Sequence, residues 1–200
     1  MQIIWVSTAG NDATGDGTSA LPYATIDRAV QDFTSGDQIR ILDGTYTPAD
    51  TLSFVGMDGS IFAENPNEVT IQPAQTLIDS ACISVRNADR FSVIGLNIVQ
   101  ASDAPNGNSV GVYAADVTNL RVFTCDIHTF AIQSGSAYGI WVSGGGRIEN
   151  CAVYDITSSG TQVCGIRTTG IDVVDCSVLA LSGVGDCNIV GIDSSNGYFP

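Results

Sequence analysis

The feature that most constrains this chain is a repeat of about 26 residues running through its second half. Val110-Gly111-Val112, Tyr138-Gly139-Ile140, Cys164-Gly165-Ile166 and Val190-Gly191-Ile192 share the pattern x-Gly-(Ile/Val), with glycine spacings of 28, 26 and 26. A second pattern runs in step with it: Leu96-Asn97-Ile98, Cys125-Asp126-Ile127, Cys151-Ala152-Val153 and Cys176-Ser177-Val178, spaced 29, 26 and 25. Ser/Gly turns at Ser134–Ser136, Ser158–Gly160 and Ser182–Gly185 close each unit. Self-similarity at a fixed period means that one supersecondary unit is stacked on copies of itself.

The composition decides which unit. Gly is 22 of 200 residues, and short Val/Ile runs alternate with Gly/Ser/Asn/Asp clusters from about residue 38 onward, which is how strands separated by turns read. No L-x-x-L-x-L frame supports a leucine-rich repeat. The expected fold is all-β: a right-handed single-stranded parallel β-helix of about six to seven turns, roughly 30 Å long at the strand spacing of ~4.8 Å. Alternation assigns Ala81, Ile83, Val85, Val110, Val112, Ala114, Tyr138, Ile140, Val142, Cys164, Ile166, Val190 and Ile192 to the interior. One stretch has helical period instead. Ile26, Ala29, Val30 and Phe33 fall at i, i+3, i+4 and i+7, with Thr25 as N-cap, Asp27 in the first turn and Gly36 as the stop. The expected organisation is residues 1–37 as strand, turn and capping helix, and 38–200 as coil turns, in one continuous domain.

The start of the chain adds a resemblance. Trp5-Val6-Ser7, Gly10-Asn11-Asp12, Gly15–Ser19, Pro22–Ile26, Gly36-Asp37 and Ile39–Tyr46 together resemble the N-terminal part of the pectin-lyase-like right-handed parallel β-helix superfamily. The resemblance implies a short strand, a turn, an amphipathic helix over the open end of the coil, and the first rung. It covers residues 5–46 as a motif and the later turns by period alone. It implies a fold and leaves activity open, because enzymes, phage tailspikes, virion decoration proteins and adhesins share it.

Charge and cysteine usage narrow the setting. Seven Arg, no Lys and 21 acidic residues give a net charge of −14, which opposes binding to nucleic acid or to anionic membrane surfaces. The apolar runs fall short of the ~18 residues of a membrane span, and Met1–Val6 has none of the marks of a secretion signal. Of the six cysteines, Cys125, Cys151 and Cys176 recur once per turn at one inward position, so they are expected to form a ladder of free thiols. Cys164 reads similarly, Cys82 and Cys187 are undecided, and the set favours assembly in a reducing cytosol.

Catalytic signals are sparse. The N-T-D, D-D, G-H-G and R-I-K set of polygalacturonase-like relatives and the R-x-P-x-x-R of pectate lyases are missing, and a chain without Lys excludes any Lys-based mechanism. His128 is the single histidine, with Asp126 and Asp155 as its nearest conceivable partners, and no metal-ligand spacing surrounds it. No cofactor or metal is expected. Asp175, Asn150 and Thr124 occupy equivalent positions and read as a polar stack at a turn. One outward column stands out: Ser84, Tyr113, Trp141, Arg167 and Asp193, beside the lane of Gly111, Gly139, Gly165 and Gly191 that another chain could approach. Tyr113, Trp141 and Arg167 are the candidate binding residues, for a sugar or a protein.

The expected function is a non-enzymatic structural protein of a phage virion, as capsid decoration, cement or tailspike-like appendage. It would be made in the host cytoplasm, with other virion proteins such as the major capsid protein as partners and a host-surface glycan as a further one. The alternative is a polysaccharide lyase or glycoside hydrolase of the same superfamily, or a carbohydrate-binding adhesin. Because Ile192 still belongs to the repeat close to Tyr198-Phe199-Pro200, a homo-oligomer is expected to cover the last rung, a trimer by resemblance to phage β-helix proteins.

Overall fold

The structure is a computed structural model describing residues 1–73, 80–100 and 107–194. Strand β1 (Ile3–Val6) is followed by helix α1 (Ile26–Asp32). The first turns of the coil then comprise β2 (Asp37–Ile41), β3 (Gly44–Tyr46), β4 (Leu52–Val55), β5 (Gly59–Ala63) and β6 (Val69–Ile71). Next come β7 (Ser80–Ile94), β8 (Leu96–Val99), β9 (Ser109–Phe123), β10 (Asp126–Ile132) and β11 (Ser136–Glu149). The described part ends with β12 (Ala152–Ser158), β13 (Gln162–Thr169), β14 (Asp172–Val174), β15 (Ser177–Gly183) and β16 (Asn188–Asp193).

All strand pairings between these elements are parallel, and they wind the chain into a coil of about six turns. One side carries β3, β6, β8, β10, β12 and β15 in that order. The long strands β7, β9 and β11 bend midway and supply two further sides. The first half of β7 pairs with β4, and its second half pairs with β5. A hydrophobic core runs down the axis from Ile4 to Ile166. Among the described residues no helix is long and apolar enough to cross a membrane.

Helix α1 is short, and its buried residues Ile26 and Ala29 attach it to the coil. The Thr25 hydroxyl accepts the Arg28 N–H as N-cap. Phe33, the last cap residue, turns extended and places its ring edge-on to Phe54, 5.1 Å between centroids, with Phe91 next in the cluster.

Two corners explain the repeat. Thr124, Asn150 and Asp175 all have φ between 50° and 53°, with Gly95 at 69° below them, so one left-handed residue makes this bend in each turn. Their N–H groups bond upward: Gly95 to Phe123 O, Thr124 to Glu149 O and Asn150 to Val174 O, at 2.9–3.1 Å. Asn and Asp tolerate this conformation, which is why polar residues stack there. The other corner sets the period. Six residues separate Ala114 from Leu120, but only four separate their register partners Val142 and Gly146. That loss of two residues is the drop in glycine spacing from 28 to 26. Gly144 and Gly146 make the short corner possible: a Cβ on Gly146, at φ +132°, would lie 2.0 Å from Leu120 O.

Strict alternation fails in the first half of the bent strands, and the expected interior needs correction there. Ile83, Val85, Val112, Ala114, Ile140, Val142 and Ile166 belong to the axial core as expected. Ala81, Val110, Tyr138 and Cys164, with Val190 beside them, form a separate outer cluster with Trp141. The cause is a double inward step. Cys82 and Ile83 both join the core, and the ladders skip the glycine of the x-Gly-(Ile/Val) motif in each later turn. The glycines therefore do not form an outer lane. A Cβ on Gly139 would sit 2.3 Å from Val153 Cγ1, and one on Gly165 2.3 Å from Val178 Cγ1, so the motif glycine lets the opposite side of the coil approach. Ile192, also expected inside, is exposed on the last described rung. The tail Tyr198–Pro200 lies outside the described residues.

Candidate functional site

The double inward step gives the outer face two neighbouring columns. In register, Ser53, Ser84, Tyr113, Trp141, Arg167 and Asp193 form one, and Ala81, Val110, Tyr138, Cys164 and Val190 the other. The columns meet: the Tyr138 and Trp141 rings are 4.5 Å apart, and Tyr113 stands edge-on to Trp141 at 6.1 Å and 81°. Arg167 lies over Trp141 with Cζ 4.8 Å from the ring centre, donates to the Tyr138 hydroxyl at 3.4 Å and faces Asp193 at 3.8 Å. The Tyr138 hydroxyl in turn donates to Gln162 Oε1 at 3.0 Å.

The three predicted binding residues are thus brought together, but with different access. Trp141 is only 5% exposed, because Tyr138 and Arg167 take its surfaces. Tyr113 alone opens onto a hollow of about 290 Å³, where the Arg86 guanidinium lies 4.9 Å over its ring. Ser53, Ser80, Ser84 and Thr51 supply hydroxyls around it, and Ala81 and Val110 an apolar floor. Among the described residues this lining contains no carboxylate and no imidazole. Sequence reasoning placed Ser84 beside Tyr113 but missed Arg86, Thr51, Ser53 and Ser80, since bringing Thr51 and Ser53 there requires the register of β4 on β7.

The other candidates take structural places. Cys125, Cys151 and Cys176 follow the left-handed corner residue and point inward as a ladder, each thiol 3.3–3.7 Å from two carbonyl oxygens. The six cysteines are free. The hydrogen bond that the Cys151 thiol donates to its neighbour Cys125, together with burial, pushes Cys151 up to about 12. Burial pushes Cys82 and Cys164 up to about 12 as well. Cys164 belongs to the outer cluster rather than the ladder, which corrects its expected place. His128 bonds Asn97 and Thr129, each at 2.8 Å, and stacks on Tyr154 at 4.6 Å. Burial lowers its pKa against the opposing pull of Asp126 and Asp155. Both ring nitrogens are committed to neighbours, so the geometry is that of a packed surface histidine. Among the described residues no three His, Cys, Asp or Glu side chains converge to hold a metal.

No family model and no curated protein sequence matches the chain. Solved structures do. Pectin methylesterase PemA from Erwinia chrysanthemi superposes at a TM-score of 0.55 with 17% identity over 84% of this chain and 55% of its own. A rhamnogalacturonan lyase does so at 0.51 with 15% identity, over 97% and 62%, and a lacto-N-biosidase from Eubacterium ramulus at 0.52 with 11%, over 94% and 57%. This chain has the pectin-lyase-like parallel β-helix fold. It spans less than two thirds of the length of these neighbours. At such identities the β-helix likeness is one of architecture, and the Tyr113 hollow has to be judged on its own chemistry.

Proposed function

We propose that this β-helix binds a glycan at the Tyr113 hollow without cleaving it. The observation that carries the reading is the lining itself: one half-exposed aromatic ring, one guanidinium and four hydroxyls, with no acid/base pair among the described residues. Sugars are held by such sets, through ring contact on the aromatic and hydrogen bonds from Arg and Ser/Thr. Cleavage of a glycosidic bond ordinarily needs two carboxylates flanking it. The names of the structural neighbours, a methylesterase, a lyase and a glycosidase, support a glycan as ligand and make cleavage the competing reading. A glycan array followed by calorimetry on the full chain tests the proposal. Binding that is lost in Tyr113→Ala and Arg86→Ala, with no release of reducing ends or unsaturated product, upholds it. Turnover abolished by a single Asp→Asn change would replace it with the enzyme reading.

The setting we propose is a phage particle, with the coil as a stiff homotrimeric element that meets the major capsid protein or another virion protein. Light scattering on the isolated chain and mass spectrometry of purified virions test it; a stable monomer at high concentration removes the trimer.

A further inference from the structure

The side of the coil built by β1, β2, β5 and the second halves of β7, β9 and β11 differs from the other two in what it exposes. Trp5, Arg40, Phe62, Ile94, Phe123 and Glu149 stand in register along it, beside a second outward column of Ile3, Gln38, Ser60, Ser92, Arg121 and Arg147. Four of the first five side chains in the first column are apolar, and all five are half-buried. A hollow of about 650 Å³ opens among Phe62, Ser60 and Ile94. Arg40 is sandwiched between Trp5 and Phe62, its Cζ 4.9 and 4.8 Å from the ring centres, and Arg121 lies over Phe123 at 4.6 Å. Trp, Phe and Arg are the residues that concentrate in protein interfaces, and stacking holds them here in fixed orientations before any partner arrives.

The arginines are unevenly shared among the sides. Arg40, Arg90, Arg121 and Arg147 belong to this one, Arg86 and Arg167 to the side of Tyr113, and Arg28 to helix α1; the third side has none. The acids of the arginine-rich side are matched locally. Glu64 faces Arg40 at 3.2 Å, Glu149 faces Arg147 at 3.6 Å, Asp58 accepts the Asp89 and Arg90 N–H groups, and Asp37 accepts from Gln2 and Thr34. Among the described residues no carboxylate pairs with Arg121, which is at the surface. The third side, the outer face of the six-stranded sheet, is the converse. Asp126 stands in register between Asn97 and Ala152, Asp155 is exposed at the left-handed bend of β12, and no arginine answers either. It too offers a half-buried apolar surface, the stacked rings of His128 and Tyr154 beside Val99.

Two copies carrying −14 each repel wherever acid meets acid. The pairing that escapes this sets the arginine-rich side of one copy against the arginine-free side of the next. We infer that the Trp5–Arg40–Phe62–Phe123 face is a docking surface for a second copy of this chain, which presents its Asp126–Tyr154–Asp155 face. The inference rests on the proposed self-association of the coil and assigns the surfaces that carry it. The two faces differ, so the contact is head-to-tail and closes into a ring where the rotation permits. Sedimentation equilibrium of the full chain over a concentration series tests it. Phe62→Ser removes apolar contact and should weaken association at least ~10-fold. Arg121→Gln and the double change Asp126→Asn with Asp155→Asn should each weaken it several-fold. Ser19→Asp, in an exposed loop away from both faces, brings the net charge to the same value as Arg121→Gln and should leave association unchanged. Arg121, Asp155 and Ser19 are at the surface, and thermal melting confirms that each variant is folded. None of these residues lines the Tyr113 hollow, so glycan binding is scored separately. A monomer at every concentration overturns this inference and the trimer together. A trimer that forms equally well in the folded variants overturns these surfaces alone, as does a loss in Ser19→Asp matching that in Arg121→Gln.

Discussion

The two sides of strand β11 obey different rules. Inward, Ile140 and Val142 lie beneath Ile166 and Thr168 and above Val112 and Ala114, so small and branched side chains meet their own kind from turn to turn. Outward, the same strand puts Trp141 between Tyr113 and Arg167, and the column runs Ser, Tyr, Trp, Arg, Asp without repeating. The interior is one environment copied at every rung, and a residue that suits one turn suits the next. The exterior faces solvent and ligands, and nothing forces it to repeat. Departures from the repeat on the outer face are therefore where chemistry is to be sought.

That contrast can be broken most severely from inside. Cys151→Asp places a charge among Val122, Cys125 and Cys176 with no partner, and should cost more than ~4 kcal/mol, leaving the chain unfolded or near it in a urea titration. Gly146→Ala comes next, at about 3 kcal/mol, because both the left-handed backbone and the Leu120 carbonyl oppose a Cβ. Trp141→Ala, on the outer side but buried, should cost about 2–3 kcal/mol by thermal melting, as Tyr138 and Arg167 lose their packing surface. Tyr113→Ala should stay within ~1 kcal/mol while removing glycan binding. If Tyr113→Ala destabilised the fold as much as Trp141→Ala, the division between a structural and a binding part of the column would collapse.

The thiols sharpen the same comparison through pH. Cys82, Cys151 and Cys164 are each held at about 12 in the fold against an ordinary 9.0. The unfolded chain then releases protons that the folded chain retains. Their contribution is fully present below pH 9 and is lost as pH rises toward 12, by up to ~1.4 kcal/mol per pH unit for each thiol. Alkylation at pH 8 should leave them unmodified until the protein is denatured. Reductant should leave the melting temperature unchanged, since the cysteines are free.

The coil, its N-terminal helix and the Cys125–Cys151–Cys176 ladder could be read from the sequence because each depends on period alone. Sidedness in the first half of the bent strands could not. A strict two-residue alternation puts Tyr138 inside, and only the closeness of Val153 to Gly139 shows that the glycine takes the inward place. The two hollows were hidden for a related reason. Ser53 and Ser84 are 31 residues apart, and this interval differs from the repeat of 26 because the early turns vary in length, with 22 residues from Gln38 to Ser60 and 32 from Ser60 to Ser92. Arg86, Arg40 and Arg90 carry no motif. Their meaning comes from neighbours that the pairing register supplies.

The shortened corner at Gly144–Gly146 has a consequence for how such a chain can change. Within a strand, gaining or losing one residue exchanges the faces of everything beyond it. At this corner two residues are gone, and Arg147, Ile148 and Glu149 still pair with Arg121, Val122 and Phe123 as though nothing were missing. The bend works like slack in a wound tape: length can be taken up there while the winding stays aligned. Insertions and deletions at this position in successive turns would widen or narrow the outer hollows one rung at a time, reshaping what the surface can hold while the axial core stays in register.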